Sequence, residues 1–172
     1  MILFLICTAL AVVIDQLTKY FALASLAPDG SIDVIRGVFR FTYVENRGAA
    51  FGSLSDSRWV FLISSTVLIV AIAVFVIARR PKNKLFLISL ALVTGGGIGN
   101  MIDRLSRGFV VDFLDFCAFP QLWRWVFNAA DVFVCVGAPI AVIMYYKLYG
   151  DSKSGKSGAA PTKDGQTGES DE

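Results

Sequence analysis

The sequence predicts an α-helical integral membrane protein with four transmembrane helices, and three observations support this fold class. The chain of 172 residues is 55% hydrophobic and its mean hydropathy is +0.63, which is too apolar for a soluble domain. Four apolar segments each approach the roughly 20 residues that a helix needs to cross a bilayer core. The links between them also differ in positive charge, as the links of membrane proteins do.

The four segments follow one another along residues 1–149, which we expect to form one membrane domain. The first covers residues 2–26 and is interrupted by Asp15 and Lys19, whereas the second, 59–78, is uncharged throughout. The third covers 85–102 and ends in a glycine cluster, and the fourth covers 126–149.

Charge in the links predicts the orientation of the helices. The link 79–84 carries four positive charges in six residues, which indicates the cytoplasmic side. Lysines after the fourth segment indicate the same side, so we expect both termini to be cytoplasmic and the connections 27–58 and 103–125 to face outward. The tail, 150–172, is polar and lacks aromatic residues, which predicts a disordered cytoplasmic tail.

The first outer connection shows a strand pattern. In residues 38–44, Phe39, Phe41 and Tyr43 alternate with Arg40 and Thr42. We therefore expect a small extracytoplasmic β-rich subdomain within about residues 27–58, with the three aromatic side chains resting on the lipid surface.

Several kinds of chemistry are excluded or disfavoured by composition. The chain has no histidine, which removes Ser-His and Cys-His nucleophile systems and most zinc sites. Its three cysteines are scattered without metal-ligand spacing, so we expect neither a disulfide framework nor a metal or other cofactor. A net charge of +2 gives no indication of a nucleic-acid partner. Paired carboxylates remain as a means of hydrolysis.

Two aspartates stand out at the edges of apolar stretches. Asp112 ends the stretch 108–112 and Asp131 leads directly into the run 132–146, and neither has a basic residue within four positions. A carboxylate near hydrocarbon costs several kcal/mol unless it is paired or hydrated. Both residues are therefore functional candidates.

Polar residues on three segments are predicted to meet at one depth. At about 1.5 Å per residue, Asp15 lies roughly 20 Å, and Asn100 roughly 22 Å, from the cytoplasmic side of a core about 30 Å thick. On the fourth segment, which enters from outside, Asp131 lies roughly 8 Å below the start. Helical spacing of i, i+3 and i+4 also puts the polar residues of each segment on one face. These sets are Asp15, Thr18 and Lys19; Asn100, Asp103 and Arg104; and Asn128 with Asp131.

Simpler structural interpretations stay open for some of these features. Asp15 and Lys19 are most simply explained by an ion pair within the helix that eases membrane insertion. Asp103 and Arg104 fit an interfacial or structural cluster. The glycines in 95–99 fit a close helix-packing surface.

Three function classes fit these residues. The first is a membrane aspartic protease, in which two carboxylates sharing one proton activate a water molecule. The second is a small proton-coupled transporter, and the third is a lipid- or partner-binding membrane protein without enzymatic activity. Transporters usually show internal repeats and acids at the membrane midplane. This chain has no repeat and its acids lie at one edge, which favours the protease.

Five motifs then give the chain a specific resemblance. In order, they are Asp15-Gln-Leu-Thr-Lys19, Asn46-Arg-Gly-Ala-Ala-Phe-Gly52, Gly95-Gly-Gly-Ile-Gly-Asn-Met-Ile-Asp-Arg104, Val110-Val-Asp-Phe113 and Phe127-Asn-Ala-Ala-Asp131. Along about residues 10–146, the chain resembles the lipoprotein signal peptidase (signal peptidase II) family.

The resemblance implies an endopeptidase in the bacterial plasma membrane that cuts prolipoproteins just before the lipid-modified cysteine. The active site would face the extracytoplasmic side and use no metal. The substrates would be held in membrane lipid, and the enzyme would be a monomer. The family's catalytic aspartates map onto Asp112 and Asp131. Its substrate-binding or supporting residues map onto Asp15, Lys19, Asn46, Gly48, Asn100, Arg104 and Asn128.

Overall fold

The computed structural model describes residues 1–27, 30–48, 58–118 and 125–150. In these ranges it contains four helices, each long and apolar enough to cross a membrane, and one four-stranded sheet. Residues 151–172, for which a disordered tail is predicted, lie outside the described residues. In chain order the elements are α1 (Ile2–Leu26), β1 (Ser31–Ile35), β2 (Phe39–Asn46), α2 (Arg58–Arg79), α3 (Lys84–Ser106), β3 (Val110–Phe116), β4 (Val126–Phe127) and α4 (Ala129–Tyr149).

The fourth helix starts later than predicted. Residues 126–127 form β4, and a capping box at Asn128 starts α4 at Ala129. The Asn128 side chain accepts a hydrogen bond from the Asp131 backbone N–H at 3.0 Å, and the Asp131 side chain accepts one from the Asn128 backbone N–H at 3.3 Å. Asp131 therefore lies in the first turn of α4, at the end of the helix bundle, and not deeper along the helix as predicted.

Helix α3 is the centre of the bundle and packs against the other three helices. Its glycines allow close approach on two sides. A Cβ atom at Gly95 would lie 2.6 Å from the Cβ of Ala11 on α1, and one at Gly96 would meet the carbonyl of Ala130 on α4. The glycine cluster is thus a helix-packing surface, as its small residues indicate.

The sheet is larger than predicted, because it combines both connections at one end of the bundle. Its strands are antiparallel in the order β1-β2-β3-β4, so β3 and β4 from the second connection extend the hairpin of the first. Directly opposite residues bind across β2 and β3: Arg40 forms an ion pair with Asp115 at 2.6 Å, and the rings of Phe39 and Phe116 lie 5.3 Å apart.

The sheet packs against the end of α1. Val111 and Phe113 of β3 are buried against Ala22 and Leu26, and the partly buried Phe41 and Tyr43 join this cluster. Part of each of these two aromatic side chains therefore packs on protein, and the contact of the aromatic side chains with the lipid surface stays a prediction. This packing fixes β3, and with it Asp112, over the bundle.

The opposite end of the bundle has its own apolar core. Phe4 of α1, Val76 of α2, Phe86 of α3 and Ala141 of α4 belong to one buried cluster. The start of α1, the link between α2 and α3, and the end of α4 therefore lie together, away from the sheet.

Gly99 provides a test of the packing between α1 and α3. A Cβ atom there would overlap the carboxylate of Asp15, whereas one at Gly97 would lie 3.3 Å from the flexible end of Ile69. We expect Gly99→Ala to destabilise the protein by about 1–3 kcal/mol and Gly97→Ala to have little effect. Thermal unfolding of both variants in detergent measures this, and equal unfolding temperatures would contradict the described packing.

Candidate active site

A cavity of about 440 Å³ opens where α2, α3 and α4 meet the sheet. Its polar end is formed by side chains from four elements, and its other end is apolar, with Leu68, Ile69 and Val134 among its lining. The charged and amide-bearing lining residues are Asn46 of β2, Asn100 and Arg104 of α3, Asp112 of β3 and Asp131 of α4.

Asp112 is only 2% exposed, and both of its carboxylate oxygens have donors. The Asn46 amide donates to Oδ2 at 2.8 Å, and the Asn128 amide donates to Oδ1 at 2.6 Å. Burial raises the pKa of Asp112 to about 6, and the negative charge of Asp131 adds to this increase, while the two amide donors oppose it. Asp112 can therefore hold a proton much closer to neutral pH than an ordinary aspartate.

Asp131 reaches the same cavity from the first turn of α4. Its Oδ1 accepts a hydrogen bond from the Asn100 amide at 2.9 Å, and its Oδ2 accepts the capping hydrogen bond from the backbone of Asn128. The positive end of the helix dipole also favours a negative charge at this position.

Three asparagines have their amide groups oriented by a second contact. Asn46 accepts from the Gly48 backbone N–H at 3.2 Å, Asn100 from the Lys19 ammonium at 2.7 Å, and Asn128 from the backbone of Asp131. Since each amide oxygen already has a donor, each NH₂ group must point to a carboxylate. The backbone of Gly48 thus contributes to the site by orienting Asn46.

Behind Asn100 lies a buried ionic cluster. The Lys19 ammonium is 2.9 Å from Asp15 and 3.0 Å from Asp103, and all three residues are 0% exposed. Gln16 donates to both carboxylates, at 3.2 and 3.3 Å, and Arg107 forms an ion pair with Asp103. The cluster therefore pairs two cations with two anions.

Arg104 contributes positive charge to the cavity wall. Its guanidinium lies 4.9 Å from the centre of the Phe61 ring and donates to the backbone oxygen of Asn100 at 3.3 Å. Among the ion pairs of the described residues, none involves Arg104. Most of its five N–H donors are thus available to a bound molecule.

The structure brings together all nine residues that the resemblance maps onto the site. Asp112, Asp131, Asn46, Asn100 and Arg104 line the cavity. The remaining four support it through hydrogen bonds or ion pairs: Asn128, Gly48, Lys19 and Asp15. Within the described ranges, no group of three or more Cys, Asp or Glu side chains is arranged to hold a metal ion.

For the ionic cluster, helical spacing selected one residue wrongly and missed another. Thr18 does not join it, because its hydroxyl donates to backbone oxygens of its own helix at Ile14 and Asp15. Gln16, which the spacing did not select, reaches across to α3. Asp103, which was interpreted as part of an interfacial or structural cluster, is fully buried and belongs to the ionic cluster.

Known proteins share this architecture. The protein matches lipoprotein signal peptidases of Caldanaerobacter subterraneus subsp. tengcongensis (45% identity, 83% of this chain and 96% of the relative) and Clostridioides difficile (40%, 88% and 99%). Two bacterial membrane enzymes solved by the in meso method are similar in structure. The one at 2.3 Å resolution has a TM-score of 0.72 at 28% identity and covers 92% of this chain and 94% of its own. The one at 1.9 Å has a TM-score of 0.74 at 30% identity and covers 84% and 92%.

The family model described as signal peptidase (SPase) II matches residues 7–147, which contain the cavity, the ionic cluster and most of each of the four described helices. The chain is therefore a multi-pass bacterial membrane protein and belongs to the signal peptidase II family of membrane aspartic peptidases.

Proposed function

We propose that this enzyme removes signal peptides from membrane prolipoproteins, cutting just before the diacylglyceryl-modified cysteine, with Asp112 and Asp131 as its catalytic dyad. One observation supports the dyad most strongly: two carboxylates from different elements open onto one cavity, each held by an oriented amide. The names of the relatives support the lipoprotein substrate.

The two carboxylates have different roles in the proposed mechanism. Asp131 is ionised, because it lies at a helix N-terminus and accepts a hydrogen bond from the Asn100 amide. The oxygen of that amide in turn contacts the Lys19 cation. Asp112, with its raised pKa, carries the proton. Asp131 takes a proton from a water molecule, which attacks the scissile carbonyl, while the acid of Asp112 stabilises the oxyanion and then protonates the leaving amine.

The other polar residues would bind the peptide. Arg104 has N–H donors available at the cavity wall, where a substrate carbonyl can accept hydrogen bonds from them. Asn46 and Asn128 each donate a hydrogen bond to a different oxygen of Asp112, and the two bonds together fix the plane of its carboxyl group. No metal or other cofactor takes part in this scheme.

Membrane lipid has a place in the proposal as well. The apolar end of the cavity lies between transmembrane helices, so the lipid chains of a substrate can stay in hydrocarbon while the peptide bond reaches the carboxylates. The basic link between α2 and α3 supports cytoplasmic termini and a site on the extracytoplasmic side.

Replacing either aspartate by asparagine tests the proposed function. We expect Asp112→Asn and Asp131→Asn each to lower kcat by at least about 10²-fold, since each removes one partner of the proton transfer while keeping the size of the side chain. The assay is cleavage of a purified, diacylglyceryl-modified prolipoprotein in nanodiscs, with thermal unfolding as the control for folding. Near-normal turnover in either variant would refute the dyad, and an inactive, folded wild type would refute the peptidase.

The pH dependence tests the role of Asp112. With a pKa of about 6, Asp112 loses its proton as the pH rises, so kcat/KM should fall on the alkaline side of about pH 6. Asn46 stabilises the ionised form, and its removal therefore raises this pKa. We expect Asn46→Ala to move the alkaline limb up by roughly one pH unit.

Glu45→Gln is the matched control for this profile, because Glu45 is an exposed neighbour on the same strand that contacts Tyr43 and Arg47. Its profile should match that of the wild type. A limb that moves down in Asn46→Ala, or moves equally in both variants, would show that Asp112 is not the acid.

Lipidation of the substrate should decide turnover. We expect precursor with an unmodified cysteine to be cleaved at least about tenfold less efficiently, since it loses the burial of its acyl chains in hydrocarbon. Paired kcat/KM measurements on lipidated and unlipidated forms of one precursor test this. Equal values would remove the lipid from the proposed recognition.

A further inference from the structure

The residue before each aspartate of the dyad donates its backbone N–H to a buried carboxylate of a different element. The Val111 N–H, next to Asp112, donates to Oδ2 of Asp103 at 3.2 Å. The Ala130 N–H, next to Asp131, donates to Oδ1 of Asp15 at 2.9 Å. The backbone directly before each dyad residue is therefore held in place by a side chain of α1 or α3.

Lys19 joins the two carboxylates into one unit. Its ammonium contacts Oδ2 of Asp15 at 2.9 Å and Oδ2 of Asp103 at 3.0 Å. The third N–H of the ammonium donates to the side chain of Asn100, 2.7 Å away, which in turn donates to Asp131. All three donors of the ammonium are thereby used within the unit.

The unit makes more contacts than an ion pair that only eases membrane insertion would need. An ion pair between Asp15 and Lys19, one turn apart on α1, would suffice to ease the entry of that helix into the bilayer. Instead, the pair includes Asp103 of α3, and its two carboxylates extend to β3 and α4. One ammonium thus connects the carboxylates that bind the two backbone segments.

We infer that Lys19, Asp15 and Asp103 are positioning residues that set the separation of the Asp112 and Asp131 backbones and the orientation of the Asp131 carboxylate. The inference rests on the proposed dyad, since it describes how these two residues are held. It gives Asp103 a part in the reaction, although Asp103 does not line the cavity.

Two variants and their combination test the unit. Lys19→Met removes the ammonium and keeps the chain length, and Asp15→Asn keeps an oxygen acceptor but removes one charge. Because Lys19→Met leaves two buried carboxylates with a single cation, Arg107, it risks misfolding. The double variant removes one charge of each sign and leaves the pair of Asp103 with Arg107 intact, so it remains measurable if the single variant does not fold.

Cleavage kinetics of the lipidated precursor give the first measurement. Since a misplacement of about 1 Å can cost about 10²-fold, we expect Lys19→Met and the double variant to lose about 10² in kcat with KM changed less than about threefold. The losses should not add, because both changes break one unit. Phe86→Ala, in the apolar core at the other end, is the control for stability and should keep kcat per folded molecule.

Backbone amide exchange gives a second measurement that does not depend on activity. We expect exchange at Val111 and Ala130 to accelerate in Lys19→Met and in the double variant, and to stay unchanged in Phe86→Ala. Unchanged exchange at both amides, additive losses, or a kcat equal to that of the wild type would each overturn the inference. A wild type that does not cleave would overturn the proposed function instead, while the exchange data would still decide whether the unit holds the backbone.

Discussion

A carboxylate in an apolar bundle is stable only while donors or cations surround it, and this constraint organises the sheet end of the molecule. Asp15, Asp103 and Asp112 are all buried, and each receives hydrogen bonds from at least two other groups. Those donors come from different elements. The need to satisfy the acids is therefore also what ties the helices to the sheet.

The asparagines make this arrangement directional. An amide donates on one side and accepts on the other, so each asparagine transmits the position of its donor to the carboxylate it contacts. Asn100 links the Lys19 cation to Asp131, and Asn128 links the start of α4 to Asp112. Side-chain polarity that looks costly in a membrane thus becomes the means of orienting the two acids.

Much of this architecture could be predicted from local sequence. The apolar segments predicted the four helices, and helical spacing with membrane depth indicated Asp15, Asn100 and Asp131 before any resemblance was considered. The sheet was only partly predictable. The pairing of β3 with β2 joins residues about 70 positions apart, and no local pattern determines such a register.

The remaining errors also have physical causes. Spacing on a helix gives a face, but it does not say how far a side chain reaches. Gln16 is long enough to contact α3, whereas the short Thr18 side chain bonds to its own helix. The start of α4 was misplaced because the apolar residues 126–127 fit a helix as well as a strand, and only the cap at Asn128 separates the two.

The central claim is that Asp112 and Asp131 act as one coupled pair. The most direct test is a carbon NMR titration of the Asp112 carboxyl in labelled wild-type enzyme and in Asp131→Asn. We predict that Asp112 titrates near pH 6 in the wild type and at lower pH in the variant, because the neighbouring negative charge that raises its pKa is gone. The same titration midpoint in both proteins would contradict the coupled pair.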